Sequence, residues 1–266
     1  MNGTFTSQQR GGTGPPLVLV HGFTDTWRTW ELVLPALQAR HDVLAVTLAG
    51  HAGGPPLPDH PHDDSLAEAV EGAMDDAGFD LAHVVGNSLG GHVALRLAAR
   101  GRARTVVALA PAGGWARDDD SHRETLAHFV TTRELVKAAV PHADAIAASP
   151  RGRRQATQFI TTHFEHIPAE LIAHQIRGVA GCEGAPALID YALAHGWALD
   201  AERVTCPVRF IWGSADRLLP WPRAAIRYRD ECFPHADWVI LDGVGHCPQL
   251  DVPTETAQLI LGFTRG

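Results

Sequence analysis

The sequence predicts an α/β protein: a mostly parallel sheet of about seven to eight strands flanked by helices, with an inserted all-helical cap. Three observations predict it. Strand-like and helix-like signals alternate as far as Leu109. The strands read as continuous apolar runs, the pattern of a sheet buried on both faces. A later stretch, from Gly113 to Arg203, carries helical patterns and no strand.

Each element follows from local signals. Leu17 to Val20 is a short apolar strand ending at His21-Gly22, and Trp30 to Leu37 has helical spacing. Val43 to Leu48 is the next strand, followed by a Gly- and Pro-rich loop from Ala49 to Pro61. Ser65-Leu66-Ala67-Glu68 reads as a capping box opening a helix that reaches about Ala77. Leu81, Val84 and Val85 then mark a strand leading into Gly86-Asn87-Ser88-Leu89-Gly90-Gly91. Val93, Leu95, Leu97 and Ala98 recur at helical spacing after it, and Thr105 to Leu109 is another strand. In the helical stretch Ser121-x-x-Glu124 reads as a second capping box, Pro168 suits a first turn and Gly196 a C-terminal stop. Alternation resumes with a strand at Val208 to Trp212, a helix near Ala224 to Arg229, a strand at Trp238 to Leu241 and a helix from Thr254 to Phe263. The expected division is a core of residues 1–112 and 204–266 with a cap of residues 113–203.

Bulk properties exclude several classes. With 266 residues, 45% hydrophobic and 20% charged, and a net charge of -8, the chain lacks the basic footprint of a nucleic-acid or anionic-membrane binder. A small-molecule partner fits; the oligomeric state is left open. No apolar run has the length of a membrane span, and the polar start from Met1 to Gly14 lacks a signal-peptide layout, so a cytoplasmic location is expected. Cys182, Cys206, Cys232 and Cys247 form no C-x-x-C pair, which argues against a disulfide framework or a zinc site. The 16 histidines include the pairs His60/His62 and His163/His166, but the first lies in a Pro-rich loop and the second has only Glu165 beside it. Neither a metal nor a cofactor is expected.

The chemistry centres on Ser88. A serine between strand and helix in G-x-S-x-G occupies a sharp turn whose backbone angles disfavour a Cβ, with Gly86 and Gly90 giving the neighbouring chain room. A serine hydroxyl becomes nucleophilic only with a base in reach and a group orienting that base. Asp216 follows the strand Val208 to Trp212 and His246 follows the strand Trp238 to Leu241, so both belong at the carboxyl edge of the sheet with Ser88. Asp242 stands too close to His246 in the chain for a comfortable approach to its ring. Asp118, Asp119 and Asp120 read as a solvated helix lead-in.

With these pieces in order, the chain resembles the α/β-hydrolase superfamily with a helical cap. The matching motifs are His21-Gly22-Phe23, Ala49-Gly50-His51-Ala52-Gly53, the Gly86–Gly91 turn, Trp212 to Pro220, and Gly245-His246-Cys247-Pro248. The resemblance implies that Ser88 attacks a carbonyl carbon, that His246 acts as base and then acid, and that Asp216 holds the His246 tautomer. It implies an oxyanion hole from the backbone N–H groups of Phe23 and Leu89. His21 is expected to shape the loop under Phe23, and His51 and His92 to serve packing or loop structure. Because such hydrolases begin with a hairpin and Met1 to Pro16 has room for one short strand, fewer than eight strands are expected.

Serine at the elbow sets the chain apart from relatives resembling haloalkane dehalogenases and epoxide hydrolases, which carry aspartate there, and points to acyl chemistry. The expected function is hydrolysis of an ester or lactone of a small to medium hydrophobic substrate. Gly-Asn-Ser keeps open carbon-carbon bond hydrolysis of the meta-cleavage-product type, although Cys247 stands where those relatives tend to carry Trp. A ligand-sensing signalling protein on the same fold is the other alternative. The cap should supply the pocket. Trp27, Trp115, Phe129, Phe159 and Asn87 are its candidate residues, and Trp30, Phe164 and Trp197 are further aromatic candidates. Arg151, Arg153 and Arg154 are either an acid-binding group or exposed charge.

Overall fold

The structure, a computed structural model, describes residues 5–265, so residues 1–4 of the polar start and residue 266 lie outside it. Its strand runs assemble into one sheet of seven: β1 (Gln8–Gly11), β2 (Pro16–Val20), β3 (Asp42–Val46), β4 (Ala82–Asn87), β5 (Ala103–Leu109), β6 (Val208–Gly213) and β7 (Asp237–Leu241). The order is β1-β3-β2-β4-β5-β6-β7. Only β1 runs antiparallel, against β3; β2 through β7 are parallel. Among the described residues one short strand, β1, precedes β2, and the sheet has seven strands.

Side chains alternate across a strand with a period of two, and that alternation divides the apolar runs between two cores. Val18, Val20, Leu44, Val46, Val84, Val106 and Phe210 face one side, where they meet α2 (Ser65–Asp76) and α3 (Leu89–Ala99). Leu17, Leu19, Val43, Ala45, Val85, Val107 and Ile211 face the other, against α1 (Leu34–Gln38) and the later helix α10 (Pro253–Phe263). Because both faces are covered, Leu17, Val18, Leu19 and Val20 are all fully buried.

Between β5 and β6 the chain forms helices only: α4 (Ser121–Ala139), α5 (Ala143–Ala148), α6 (Pro150–Thr157), α7 (Ala169–Gly181) and α8 (Ala185–His195), with short 3-10 turns. A third apolar cluster, built on Ala143, Ala147, Ile167, Leu171 and Ile172, includes Cys247 and Leu250, so the inserted helices pack directly on the segment after His246. Leu250 lies in the short α9 (Pro248–Asp251).

Several local expectations are corrected. Ser65 and Ser121 are first helical residues, not caps. The Ser65 hydroxyl accepts from the His62 N–H at 2.8 Å, and the Ser121 N–H donates to Asp119 at 2.9 Å. The acidic residues before each serine occupy the turn that the capping box would have needed. Pro168 sits one residue before α7. The Trp30–Leu37 helix is a 3-10 turn at Trp27–Trp30 followed by the five-residue α1. Near Ala224 the helical pattern breaks into a 3-10 turn and a π turn, because the Arg227 N–H leaves the ladder to donate to Gly114 O at 2.8 Å. Gly196 does end α8, with φ 72.

The turn between β4 and α3 leaves no room for side chains at its glycines. A Cβ on Gly86 would stand 2.0 Å from Gly90 O, and one on Gly90 would stand 2.2 Å from Val20 O. Gly86→Ala and Gly90→Ala are each expected to destabilise the fold by about 3 kcal/mol or more, since backbone must move. Gly72 in α2 has open space around its Cβ position, and Gly72→Ala is expected to add up to about 1 kcal/mol. Urea unfolding of the three variants checks the contrast.

Candidate active site

Strand β4 ends at Asn87, and the chain turns at Ser88 with φ 55 and ψ -118 before α3 begins at Leu89. A residue with a Cβ adopts this conformation only under constraint. The constraint is visible: the Ser88 N–H donates to Leu109 O at 2.9 Å, and the Ser88 carbonyl accepts from His92 N at 3.1 Å and Ala112 N at 3.0 Å. Thr24 and Ala110, at φ 63 and 40, share this strain at the exits of β2 and β5. All three strained residues therefore sit at the carboxyl edge of the sheet.

Asp216 and His246 reach that edge as their strands require. The His246 Nδ1–H donates to Asp216 Oδ2 at 2.7 Å, and both side chains are almost completely buried. The other carboxylate oxygen, Oδ1, accepts from the N–H groups of Leu218 at 2.9 Å and Leu219 at 2.8 Å. An ionised carboxylate only accepts, so the proton of this pair sits on Nδ1 and Nε2 keeps its lone pair. That is the tautomer a general base needs. No hydrogen bond joins Ser88 to His246 among the described residues; such contacts commonly tighten once substrate is bound.

The Phe23 N–H donates to no protein acceptor among the described residues, and Leu89 N–H is an orphan donor at the start of α3. Both residues border the same cavity as Ser88. Beneath Phe23, His21 receives the Leu48 N–H on Nε2 at 2.9 Å and donates through Nδ1 to Gly22 O at 2.6 Å. Burial holds the His21 pKa well below that of a free imidazole.

Two polar clusters that sequence reasoning missed hold the His246 loop. The buried Asp251 carboxylate accepts from Gly245 N at 2.6 Å, His163 N at 2.6 Å and Thr162 N at 3.0 Å. The Asn87 amide donates to Leu109 O and to His246 O, each at 3.1 Å, while its oxygen accepts from Gln249 Nε2 at 3.1 Å. Asn87, whose oxygen also accepts from Cys247 Sγ at 3.3 Å, thus ties β4 to the histidine loop, and these four bonds leave it away from the cavity. This corrects its expected place in the pocket. Nothing in local sequence marks the Gln249 partner, which is joined to Asn87 only by folding.

The cavity encloses about 90 Å³ between the sheet edge and the inserted helices. Trp115 and Phe129 line it, together with Leu126, Ile189 and Trp197. Trp27 and Phe159 do not. The Trp27 indole N–H donates to Thr6 Oγ1 at 2.8 Å, on the side of the sheet served by α1. Phe159 packs on His128, with ring centroids 4.3 Å apart, and under the Arg217 guanidinium. Leu126 and Ile189 come from helices α4 and α8, whose inward faces local periodicity cannot assign to substrate or to cap core.

The remaining candidates have structural partners. Arg153 donates to the carbonyls of Phe164, Glu165 and Ile167, while Arg151 and Arg154 are exposed. His163 lies against Asp251, and His166 against Leu250 O. Asp242 accepts from Ser214 Oγ at 3.0 Å, and Asp119 pairs with Arg223 at 2.8 Å. Asp119 is thereby held at a pKa of about 2, the Arg223 hydrogen bond being the main cause.

Comparison with known proteins matches residues 15–253 to the model of the alpha/beta hydrolase fold family. Over 198 residues the chain is 32% identical to the epoxide hydrolase EphH of Mycobacterium tuberculosis, covering 74% of this chain and 92% of that protein. It is 31% identical to a pimeloyl-[acyl-carrier protein] methyl ester esterase of Aromatoleum aromaticum, covering 95% of this chain and 99% of the other. Among solved structures, a meta-cleavage product hydrolase from Pseudomonas fluorescens superposes with a TM-score of 0.70 at 19% identity, covering 96% of this chain and 92% of that one, a likeness of fold alone.

Burial of neutral histidines around the site makes the protein acid-sensitive. His51 is held at a pKa of about 4 and His92 at about 3, chiefly by burial, against 6.5 for an exposed ring. Depressed folded values mean that the unfolded chain binds protons first as pH falls, so this stability is present above 6.5 and is lost on acidification. Each ring is expected to remove about 1.4 kcal/mol per pH unit at most between pH 6 and 4.5. Urea unfolding across that range checks it, with a shallower slope expected in His51→Asn.

Proposed function

The chain belongs to the alpha/beta hydrolase fold family, and we propose that, as a hydrolase of that family, it cleaves a carboxylic ester or lactone of a small to medium hydrophobic substrate. The observation that carries this reading is the Asp216–His246 contact. It leaves His246 Nε2 as the acceptor on the same sheet edge as the strained Ser88.

In this mechanism His246 takes the Ser88 proton as Oγ attacks the ester carbonyl. The N–H groups of Phe23 and Leu89 receive the developing oxyanion. The imidazolium that forms is stabilised by Asp216 and then protonates the leaving alcohol, giving an acyl-enzyme. Water, deprotonated by His246, attacks that acyl group in turn and returns Ser88. No step calls for a cofactor or metal. The cavity wall of Trp115, Phe129, Leu126 and Ile189 favours apolar acyl or alcohol groups.

Chemistry also separates this reading from that of the epoxide hydrolase relative. A carboxylate attacking an epoxide forms an ester, which water can open at the carbonyl. A serine attacking an epoxide would form an ether with no carbonyl to attack. Ser88 therefore favours acyl substrates. The carbon-carbon alternative stands on Gly-Asn-Ser, whose Asn87 braces the His246 loop and does not line the cavity.

A short-chain aryl ester and a fluorophosphonate probe test the proposal. Wild-type protein is expected to turn the ester over and to be labelled at Ser88, and Ser88→Ala to do neither. Asp216→Asn is expected to keep the fold and lose about four decades of turnover. Labelling without turnover of any ester would favour a sensor; no labelling would remove the activated serine.

A further inference from the structure

One turn of α3 beyond Ser88, His92 borders the same cavity and has no part in the mechanism above. Its proton can be placed by counting donors. The Tyr228 hydroxyl lies 2.7 Å from Ala112 O and 3.1 Å from His92 Nδ1. A carbonyl only accepts, so the single hydroxyl hydrogen goes to Ala112. The hydroxyl oxygen must then accept from His92, whose proton therefore sits on Nδ1. Nε2 is left with a lone pair.

That lone pair has no partner among the described residues. It differs in this from His51 and His83, whose Nε2 atoms are buried in the interior without a partner, whereas the His92 ring borders the cavity. The ring is also held in place. Trp197 meets it edge-on at 5.4 Å between centroids, and Gly113 at φ 96 lets the chain pass so close that a Cβ there would lie 2.6 Å from the Tyr228 hydroxyl. Burial keeps the ring neutral, Arg96 and Arg227 adding to that effect against Asp63. An oriented acceptor in a mainly apolar wall discriminates between ligands.

We propose that His92 is a specificity-determining residue whose Nε2 accepts a hydrogen bond from a hydroxyl or amide N–H of the substrate, close to the bond that Ser88 attacks. Ser88 and His92 border one cavity, so the donor belongs on the part of the substrate beside the reacting carbonyl. The preferred substrate class is then a hydroxylated, or amide-bearing, ester that is otherwise apolar. This identification of the cleaved bond rests on the ester-hydrolase reading above.

Matched ester pairs test it. On the acyl side the pair is p-nitrophenyl 3-hydroxybutyrate and p-nitrophenyl 3-methylbutyrate; on the alcohol side it is 2-hydroxyethyl butyrate and propyl butyrate. Wild-type kcat/KM is expected to favour the hydroxylated member of one pair by about tenfold. His92→Phe should bring that ratio towards one. Tyr228→Phe, which frees the ring to move its proton to Nε2, should do the same. Nitrogen-15 spectra of the wild-type protein should show Nε2 of His92 unprotonated; a protonated Nε2 overturns the inference whether or not the variants fold. So does turnover of both pairs with no hydroxyl preference, or a preference that survives His92→Phe. Calorimetry of the same esters with Ser88→Ala separates the two readings. Tighter binding of a hydroxylated ester that is lost in Ser88→Ala/His92→Phe supports the acceptor even if no ester is turned over, in which case only the ester-hydrolase reading fails.

Discussion

The structure depends on one backbone constraint, the close passage of the β4–α3 turn over the ends of β2 and β5. Ser88 can hold φ 55 because Gly90 lies against Val20 O, and because the carbonyls of Leu109 and Ser88 bond across to neighbouring chain. The resulting geometry lifts a side chain above the sheet edge while aiming the first N–H groups of α3 at the same space. Strain of this kind persists only where the surroundings over-determine it. Here they are the two apolar cores, which bury β2, β4 and β5 on both faces.

The same edge is braced by buried polar groups and not by apolar packing alone. Asn87 links β4 to the His246 loop, Asp251 gathers the N–H groups of that loop and of residues 162 and 163, and Asp216 collects two amides before it meets His246. Each carboxylate is satisfied by several donors, which is what allows burial without loss of charge. Thr162 and His163 belong to the inserted helical region, so the inserted segment and the histidine loop share one hydrogen-bonded cluster. A change in either is felt at the site.

The fold and the meeting of Ser88, Asp216 and His246 at one sheet edge were legible because their signals are local. Gly86 and Gly90 mark a turn that tolerates no side chain, and Asp216 and His246 each follow an apolar strand, so strand direction alone brings them to one edge. The pocket was less legible. Trp115 and Phe129 were found, but Trp27 and Phe159 turned elsewhere, because an aromatic at helical spacing records burial without naming its partner. Asn87 was misplaced for a related reason: adjacency to Ser88 suggests access to substrate, whereas the pleat of β4 turns it inward toward Gln249. The capping boxes failed where acidic neighbours at Asp64 and Asp120 took the turn.

Sequence by itself determined the alternating architecture, the sharp turn at Ser88 and the placing of Asp216 and His246 at the same sheet edge, since these follow from periodicity, glycine placement and strand polarity. Tertiary structure alone decided which side chains wall the cavity, and that Asn87 and Asp251 brace the His246 loop. It also decided that Tyr228, brought from beyond β6, sets the proton on His92. Those outcomes depend on the rotation of packed helices and on contacts between residues far apart in the chain, and no short-range pattern encodes either.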